Sequence, residues 1–266
     1  MDKKFAIIGK GFIYQTHVDA IKKIGGEIID VVKEENGKDA WKEMVKKTDA
    51  DYIVILTPND LHFEMAKFAA ENNKIVLCEK PLTIKSSEAK ILADFPNVFT
   101  VVQLRHHPFT EKLKSEIRKD KFYEIEMDIS VHRDEEYYKS WKGDSNRSGG
   151  LLFNLGIHYF DLLLYLFGPV EEVLVSSLSD KTGVGVIKGK NYICNWRVST
   201  DTKKEEQRRL FKIDGVNYNF SSKDNLAYEN LHTYVYKDLL QKKGVSAEEV
   251  LPSIELIEKL YASCKK

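Results

Sequence analysis

F-A-I-I-G-K-G-F-I-Y, residues Phe5 to Tyr14, compresses a short apolar run, two glycines one residue apart and the start of a helical pattern into ten residues. A strand that turns through glycines into a helix presents free backbone N–H groups and a positive dipole end, the arrangement that receives a pyrophosphate. Gly9 and Gly11 would let the backbone turn and approach such a ligand, with Phe12 and Ile13 completing the turn. The third glycine of the fingerprint is replaced by Tyr14, so these residues alone fit an ordinary tight turn as well.

Working outward, the pattern recurs. E-I-I-D-V-V (Glu27 to Val32), D-Y-I-V-I-L-T (Asp51 to Thr57), K-I-V-L-C-E (Lys74 to Glu79) and V-F-T-V-V-Q (Val98 to Gln103) read as strands. Helical composition lies between them, at Gln15 to Lys23, Gly37 to Lys47, Leu61 to Glu71 and Ser86 to Ala93. Repeated β-α-β units predict a Rossmann-type, doubly wound parallel sheet covered on both faces, with the apolar runs Ile53 to Leu56 and Ile75 to Leu77 at its centre.

The rhythm changes after Arg105. A helix (Pro108 to Arg118), a period-two strand (Tyr123 to His132), a polar loop and an apolar helix (Leu151 to Phe167) lead into five strand-like segments in series. Two closing helices, Glu229 to Lys242 and Pro252 to Ser263, end the chain, with Ser246 and Glu249 spaced as a capping box between them. Serial strands predict a mainly antiparallel open sheet. The fold class is therefore α/β, with residues 1–104 as a Rossmann-type doubly wound domain and residues 105–266 as an α+β domain.

Composition agrees. Of 266 residues, 42% are hydrophobic and 31% charged, with 6 prolines and 15 glycines, the balance of a globular chain rather than a disordered one. Its 41 basic and 41 acidic side chains cancel, which argues against nucleic acid or anionic lipid as main partner. Three cysteines without paired spacing argue against a disulfide framework and a zinc site, and fit a reducing cytosol. The apolar run at the N-terminus is too short for a leader or a span, and Leu151 to Phe167 carries Asn154, His158 and Asp161, which suit a buried helix better than a membrane.

Two motifs sit just past strand ends, where open α/β sheets bind ligands. They are T-P-N-D-L-H, with Thr57, Pro58, Asn59 and His62, and C-E-K-P-L, with Glu79 and Lys80. An isolated E-K-P would suit a surface lysine in a proline turn; the strand order favours a lysine in a cleft. A third constellation, S-G-G-L-L-F-N-L-G-I-H-Y-F-D (Ser148 to Asp161), puts Asn154, His158 and Asp161 on one helix face at spacings of four and three. Polar groups on an apolar helix need partners or a ligand; a core histidine satisfied by a carbonyl is the alternative.

G-x-G-x-I with His17, T-P-N-x-L-H, E-K-P and G-G-x-x-x-N-x-G-x-H-x-x-D, in this order, resemble the glucose-fructose oxidoreductase / inositol dehydrogenase / MocA family of NAD(P)-dependent sugar oxidoreductases. The resemblance covers nearly the whole chain. Q-L-R-H-H-P, S-W-K-G-D and Asn154 are most similar to the UDP-N-acetylglucosamine / UDP-N-acetylglucosaminuronate 3-dehydrogenases of surface-polysaccharide (O-antigen, lipopolysaccharide) synthesis. It implies a cytoplasmic enzyme, a dimer or tetramer, that oxidises a sugar C3 hydroxyl. Lys80 and His158 would serve the reacting hydroxyl, and Asn154, Arg105, Lys142 and Asp161 the sugar, with Arg105 and Lys142 placed by motif position for a carboxylate or pyrophosphate. NAD would lie against Gly9, Gly11, Phe12, Ile13, Thr57, Pro58, Asn59, His62, Glu79, Lys80, Gln103 and Trp141, with no metal; Trp141 serves equally as a loop anchor. The same resemblance implies 2-oxoglutarate as the co-oxidant that recycles NADH.

The pattern departs from the family at the adenosine end. Lys33 stands where a ribose-binding carboxylate is expected, with Glu34 beside it and Asp30 inside the strand. Lys33 would favour NADP; Glu34 taking the ribose would keep NAD. Only eighteen residues separate Val32 from Asp51, so one β-α unit is expected to be trimmed there. A dehydrogenase of another sugar or cyclitol, and a non-catalytic binding protein, stay open as alternatives.

Overall fold

The computed structural model describes residues 3–33, 36–220 and 228–264. β1 (Lys4–Ile8) runs into the glycine turn and α1 (Tyr14–Lys23); β2 (Glu27–Val32), α2 (Ala40–Lys47), β3 (Tyr52–Ile55), α3 (His62–Glu71), β4 (Ile75–Cys78), α4 (Ser86–Ala93) and β5 (Val98–Thr100) follow. Beyond a 3-10 turn at Gln103–His106 come α5 (Pro108–Glu116), β6 (Tyr123–Ser130), α6 (Glu135–Lys139), α7 (Ser145–Ser148), a π turn at Leu152–Gly156 and α8 (Ile157–Phe167). Five strands succeed them: β7 (Val170–Leu178), β8 (Thr182–Gly189), β9 (Tyr192–Ser199), β10 (Arg208–Ile213) and β11 (Val216–Asn219). The chain closes with α9 (Tyr228–Leu240), β12 (Val245–Ser246) and α10 (Ala247–Ser263).

Two compact units result, 1–103 with 227–251, and 104–226 with 252–266. Where the sequence suggests one cut after residue 104, the stretch carrying α9 and β12 belongs with the first unit. The first unit's sheet has the order β12-β5-β4-β3-β1-β2, parallel except for β12. β3 and β4 lie at its centre and are apolar along almost their whole length, because strands covered on both faces have no solvent side. β2 forms the edge, and no strand lies outside it among the described residues. The eight-residue α2 leads straight from β2 to β3 on the far side of β1. Tyr14, in the third-glycine position, packs beside Ile13 against the core of Phe5, Ile7, Ile21, Val54 and Leu77.

Ser246 and Glu249 cap α10 reciprocally. The Ser246 N–H donates to Glu249 Oε2 at 2.9 Å and the Glu249 N–H to Ser246 Oγ at 3.2 Å. The predicted box therefore starts α10 itself, which runs on through Pro252 as one helix rather than as a short turn and a second helix. Ser246→Ala should cost about 1 kcal/mol in a urea melt, and Ser246→Thr clearly less; an unmoved midpoint in the alanine variant would show that the box adds no net stability.

The second unit's sheet has the order β11-β10-β6-β9-β8-β7, antiparallel except for the β6–β9 pair. Period-two alternation turns Ile125, Met127, Cys194 and Trp196 inward. Gly183 and Gly185 of β8 make room for the indole, since a Cβ at Gly185 would meet Trp196 at 2.9 Å. Phe160 of α8 meets the same indole edge to face at 5.5 Å. The helical stretch 145–167 is apolar and long enough to cross a membrane by composition, yet 72% of its apolar window is buried inside the protein, as in a core helix.

Candidate active site

Register in the first unit sets out its carboxyl edge. Ile8 pairs with Ile55, Ile55 with Cys78 and Cys78 with Thr100, so the residues just beyond them emerge side by side. Gly9 follows β1, Leu56 and Thr57 follow β3, Glu79 and Lys80 follow β4, and Val101 to Gln103 follow β5. Gly9 has φ +98°, and a Cβ there would come within 2.8 Å of the Leu56 carbonyl, so only glycine lets β1 turn against β3. Nothing would meet a Cβ at Gly11, which leaves the turn open. α1 begins after it with no side-chain cap on its first N–H groups and no acidic residue in its first turn. Gln103, 7% exposed, holds a side-chain Oε1 with no hydrogen-bond partner among the described residues.

The T-P-N loop and the E-K-P turn are stapled by one histidine. His62 is fully buried, with Nδ1 2.7 Å from the Pro81 carbonyl and Nε2 2.9 Å from the Thr57 carbonyl. Burial pulls its pKa down, although both carbonyls favour the charged ring. His62, read from sequence as a cofactor contact, is thus a support for the two loops. Asn59 is buried, Thr57 and Pro58 are half-buried, and Phe12 is 92% exposed.

Glu79 is held from three directions. Its Oε1 lies 3.0 Å from His17 Nε2 and 3.7 Å from His232 Nε2, and its Oε2 accepts the Lys80 N–H at 3.2 Å. Burial by itself raises the Glu79 carboxyl, but hydrogen bonds and charge from His17 and His232 outweigh it and hold the pKa well below the usual range. His17 Nδ1 meets the Tyr236 hydroxyl at 2.8 Å. His232 and Tyr236 come from α9, in the segment L-H-T-Y-V-Y-K-D-L-L, where no site role is expected of them from sequence; their spacing of four places them on one helix face.

At the adenosine end, Asp30 accepts the Thr48 hydroxyl and the Lys33 N–H donates to Asn36 Oδ1 at 2.7 Å. Glu34 lies outside the described residues.

In the second unit the predicted polar face divides. Asn154 lies in the π turn, whose extra residue per turn rotates it off the line of a regular helix, and its Nδ2 donates to the Lys142 carbonyl at 3.1 Å. His158 is half-buried in the first turn of α8. Asp161, read from sequence as a sugar contact, is instead 0% exposed, and Arg105 Nε and Nη2 donate to its two oxygens at 2.9 and 2.8 Å. The Ser253 hydroxyl adds a third bond at 2.9 Å. Arg105 is therefore committed to Asp161 and stacks over Tyr165 at 4.8 Å, which accounts for a planar cation without invoking a substrate anion. Lys142 and Trp141 are half-buried on the loop that Asn154 ties down; burial, then the charge of Arg133, pulls the Lys142 pKa down.

Two Gfo/Idh/MocA family models match the chain: "Oxidoreductase family, NAD-binding Rossmann fold" over residues 3–96 and "Oxidoreductase family, C-terminal alpha/beta domain" over residues 114–186. Among solved structures, the WlbA (WbpB) dehydrogenase of Thermus thermophilus in complex with NAD and UDP-GlcNAcA is 28% identical, with a TM-score of 0.86 over 98% of this chain and 94% of that one. The same dehydrogenase also has a structure with NAD and alpha-ketoglutarate. WlbA of Bordetella pertussis, at 21% identity and TM-score 0.82 over 100% and 97% of the two chains, shares the fold. Among curated proteins, glucose-6-phosphate 3-dehydrogenase of Bacillus subtilis is 30% identical over 191 residues, 62% of this chain and 54% of that protein. The chain spans about half the length of that relative.

Proposed function

The chain belongs to the Gfo/Idh/MocA oxidoreductase family, and we propose that it is an NAD-dependent dehydrogenase oxidising the C3 hydroxyl of an anionic hexose, first of all UDP-N-acetylglucosamine or its uronate. The observation that carries this reading is the carboxyl edge that sets the Gly9 turn, Thr57 and Lys80 side by side. The residues fit the dinucleotide: a Cβ would block the Gly9 turn, Gly11 leaves it open, and Gln103 offers a buried acceptor. Two relatives support the substrate class, one bound to NAD and UDP-GlcNAcA and one named for 3-dehydrogenation of a sugar phosphate. By the same analogy 2-oxoglutarate would recycle the reduced cofactor, and the product would feed surface-polysaccharide sugars.

When bound, NAD supplies the hydride acceptor. Lys80 Nζ, in its neutral form, takes the proton from O3 as the C3–H bond breaks and the carbonyl forms, and the proton then rests on the ammonium. In the second unit Asn154 fixes the Lys142 loop; by the family resemblance His158 would also serve the hydroxyl, and Lys142 would offer a point charge to an anionic group.

Incubating the purified chain with NAD or NADP and a panel of UDP-sugars, sugar phosphates and cyclitols, while following reduced-nicotinamide absorbance, tests the reading. Reduction of NAD with a UDP-N-acetylhexosamine or its uronate is the expected result. Turnover confined to cyclitols would overturn the substrate class, a preference for NADP would place Lys33 against a 2′-phosphate, and no binding of either dinucleotide would overturn the enzyme.

A further inference from the structure

Three segments far apart in sequence converge on Glu79. His17 lies on α1, Glu79 follows β4, and His232 and Tyr236 sit four apart, on one face of α9. All belong to the first unit, where α9 packs against α1. His17 and Tyr236 are 0% exposed and His232 3%. The rings are fixed by contact: His17 stands edge to face on His232 at 5.0 Å and on Tyr236 at 5.7 Å.

The hydrogen bonds run one way. The Tyr236 hydroxyl, 2.8 Å from His17 Nδ1, donates to it, which leaves Nε2 to carry the ring proton and donate to Glu79 Oε1 at 3.0 Å. The opposite tautomer would aim a lone pair at a carboxylate oxygen. Burial draws the His17 pKa down, more than Glu79 raises it, which suits a neutral ring in this tautomer. The carboxylate's other oxygen is spent on the backbone N–H of Lys80 at 3.2 Å. A carboxylate only 13% exposed is costly where packing alone is wanted, since an apolar side chain of similar volume does that more cheaply. Here each of its oxygens is aimed, and one is aimed at the residue whose amine does the chemistry.

We propose that His17, His232 and Tyr236 are positioning residues that clamp Glu79, and that the clamped carboxylate fixes the backbone at Lys80; the inference rests on the reading of Lys80 as proton acceptor. The catalytic turn thereby depends on α9, a helix contributed near the chain's end. His17, Glu79 and His232 also place one ligand atom each within 4.8 Å of one another, a spacing a divalent ion would accept. An ion needs the Nε2 lone pair, whereas the clamp needs the Nε2 proton, so the tautomer separates the two.

Tyr236→Phe should lower kcat about tenfold while KM for sugar and for NAD stays within about twofold, because the hydroxyl touches neither. His232→Gln, which keeps a donor at the place of Nε2, should retain most of the activity that His232→Leu loses. Nitrogen-15 spectra of the histidine rings in nucleotide-free wild type should show His17 protonated at Nε2, a readout independent of turnover and of any variant's folding. Protonation at Nδ1, zinc retained through gel filtration, or a Tyr236→Phe enzyme with unchanged kcat would each overturn the clamp. Wild type inactive on every sugar would overturn the dehydrogenase reading and the clamp's role with it, whereas active wild type with indifferent variants overturns the clamp alone.

Discussion

Lys80→Met should lower sugar-dependent reduction of NAD by about 10²–10⁴-fold in kcat, the span that one positioned acid-base group supplies. Methionine keeps an unbranched stem of nearly the same length, with sulfur in place of Cδ, and lacks the amine, so packing around the half-buried side chain changes little. Dinucleotide binding should persist, because the Gly9 turn, the start of α1 and the Thr57 loop are untouched; NADH fluorescence titration measures this directly. The melting temperature should stay within a few degrees of wild type. An inactive variant that still binds NADH assigns the lysine to the proton transfer. Unchanged turnover would remove Lys80 from the mechanism, and lost NADH binding would make it a cofactor ligand.

What the sequence disclosed follows from where the information is local. The apolar runs Ile53 to Leu56 and Ile75 to Leu77 suited central parallel strands, where β3 and β4 stand, and the Ser246/Glu249 spacing announced a cap that the backbone then used. The eighteen residues after Val32 could not hold a helix, a strand and their loops, so the edge position of β2 was already implied. Other features rest on pairings that no local pattern records. L-L-F-N-L-G-I reads as regular helix, because an apolar run carries no mark of the added residue that makes a π turn. His232 and Tyr236 look like ordinary helix residues until α9 is seen to return to the first unit. Fifty-six positions separate Arg105 from Asp161, and each alone resembles a group waiting for a ligand.

That last pair carries the largest stability effect expected here. The Asp161 side chain is 0% exposed and that of Arg105 9%, and the carboxylate takes both guanidinium bonds and the Ser253 hydroxyl. Asp161→Ala strands the guanidinium in a site with little water and frees a hydroxyl, so the loss should reach about 3–5 kcal/mol, a large share of what holds a domain folded. Asp161→Asn should cost less, since the amide keeps the shape and one acceptor. The double variant Asp161→Leu with Arg105→Leu should recover much of the loss, because removing both charges also removes their desolvation cost; a coupling of several kcal/mol in the urea-melt cycle is the expected signature. A sugar contact behaves differently: KM would rise in Asp161→Ala while the urea midpoint stayed put, and that outcome would return Asp161 and Arg105 to the substrate. Since a buried pair adds little net stability over apolar residues of equal volume, what it adds within the second unit is a fixed geometry, tying Asp161 of α8 to Arg105 and to Ser253 of α10.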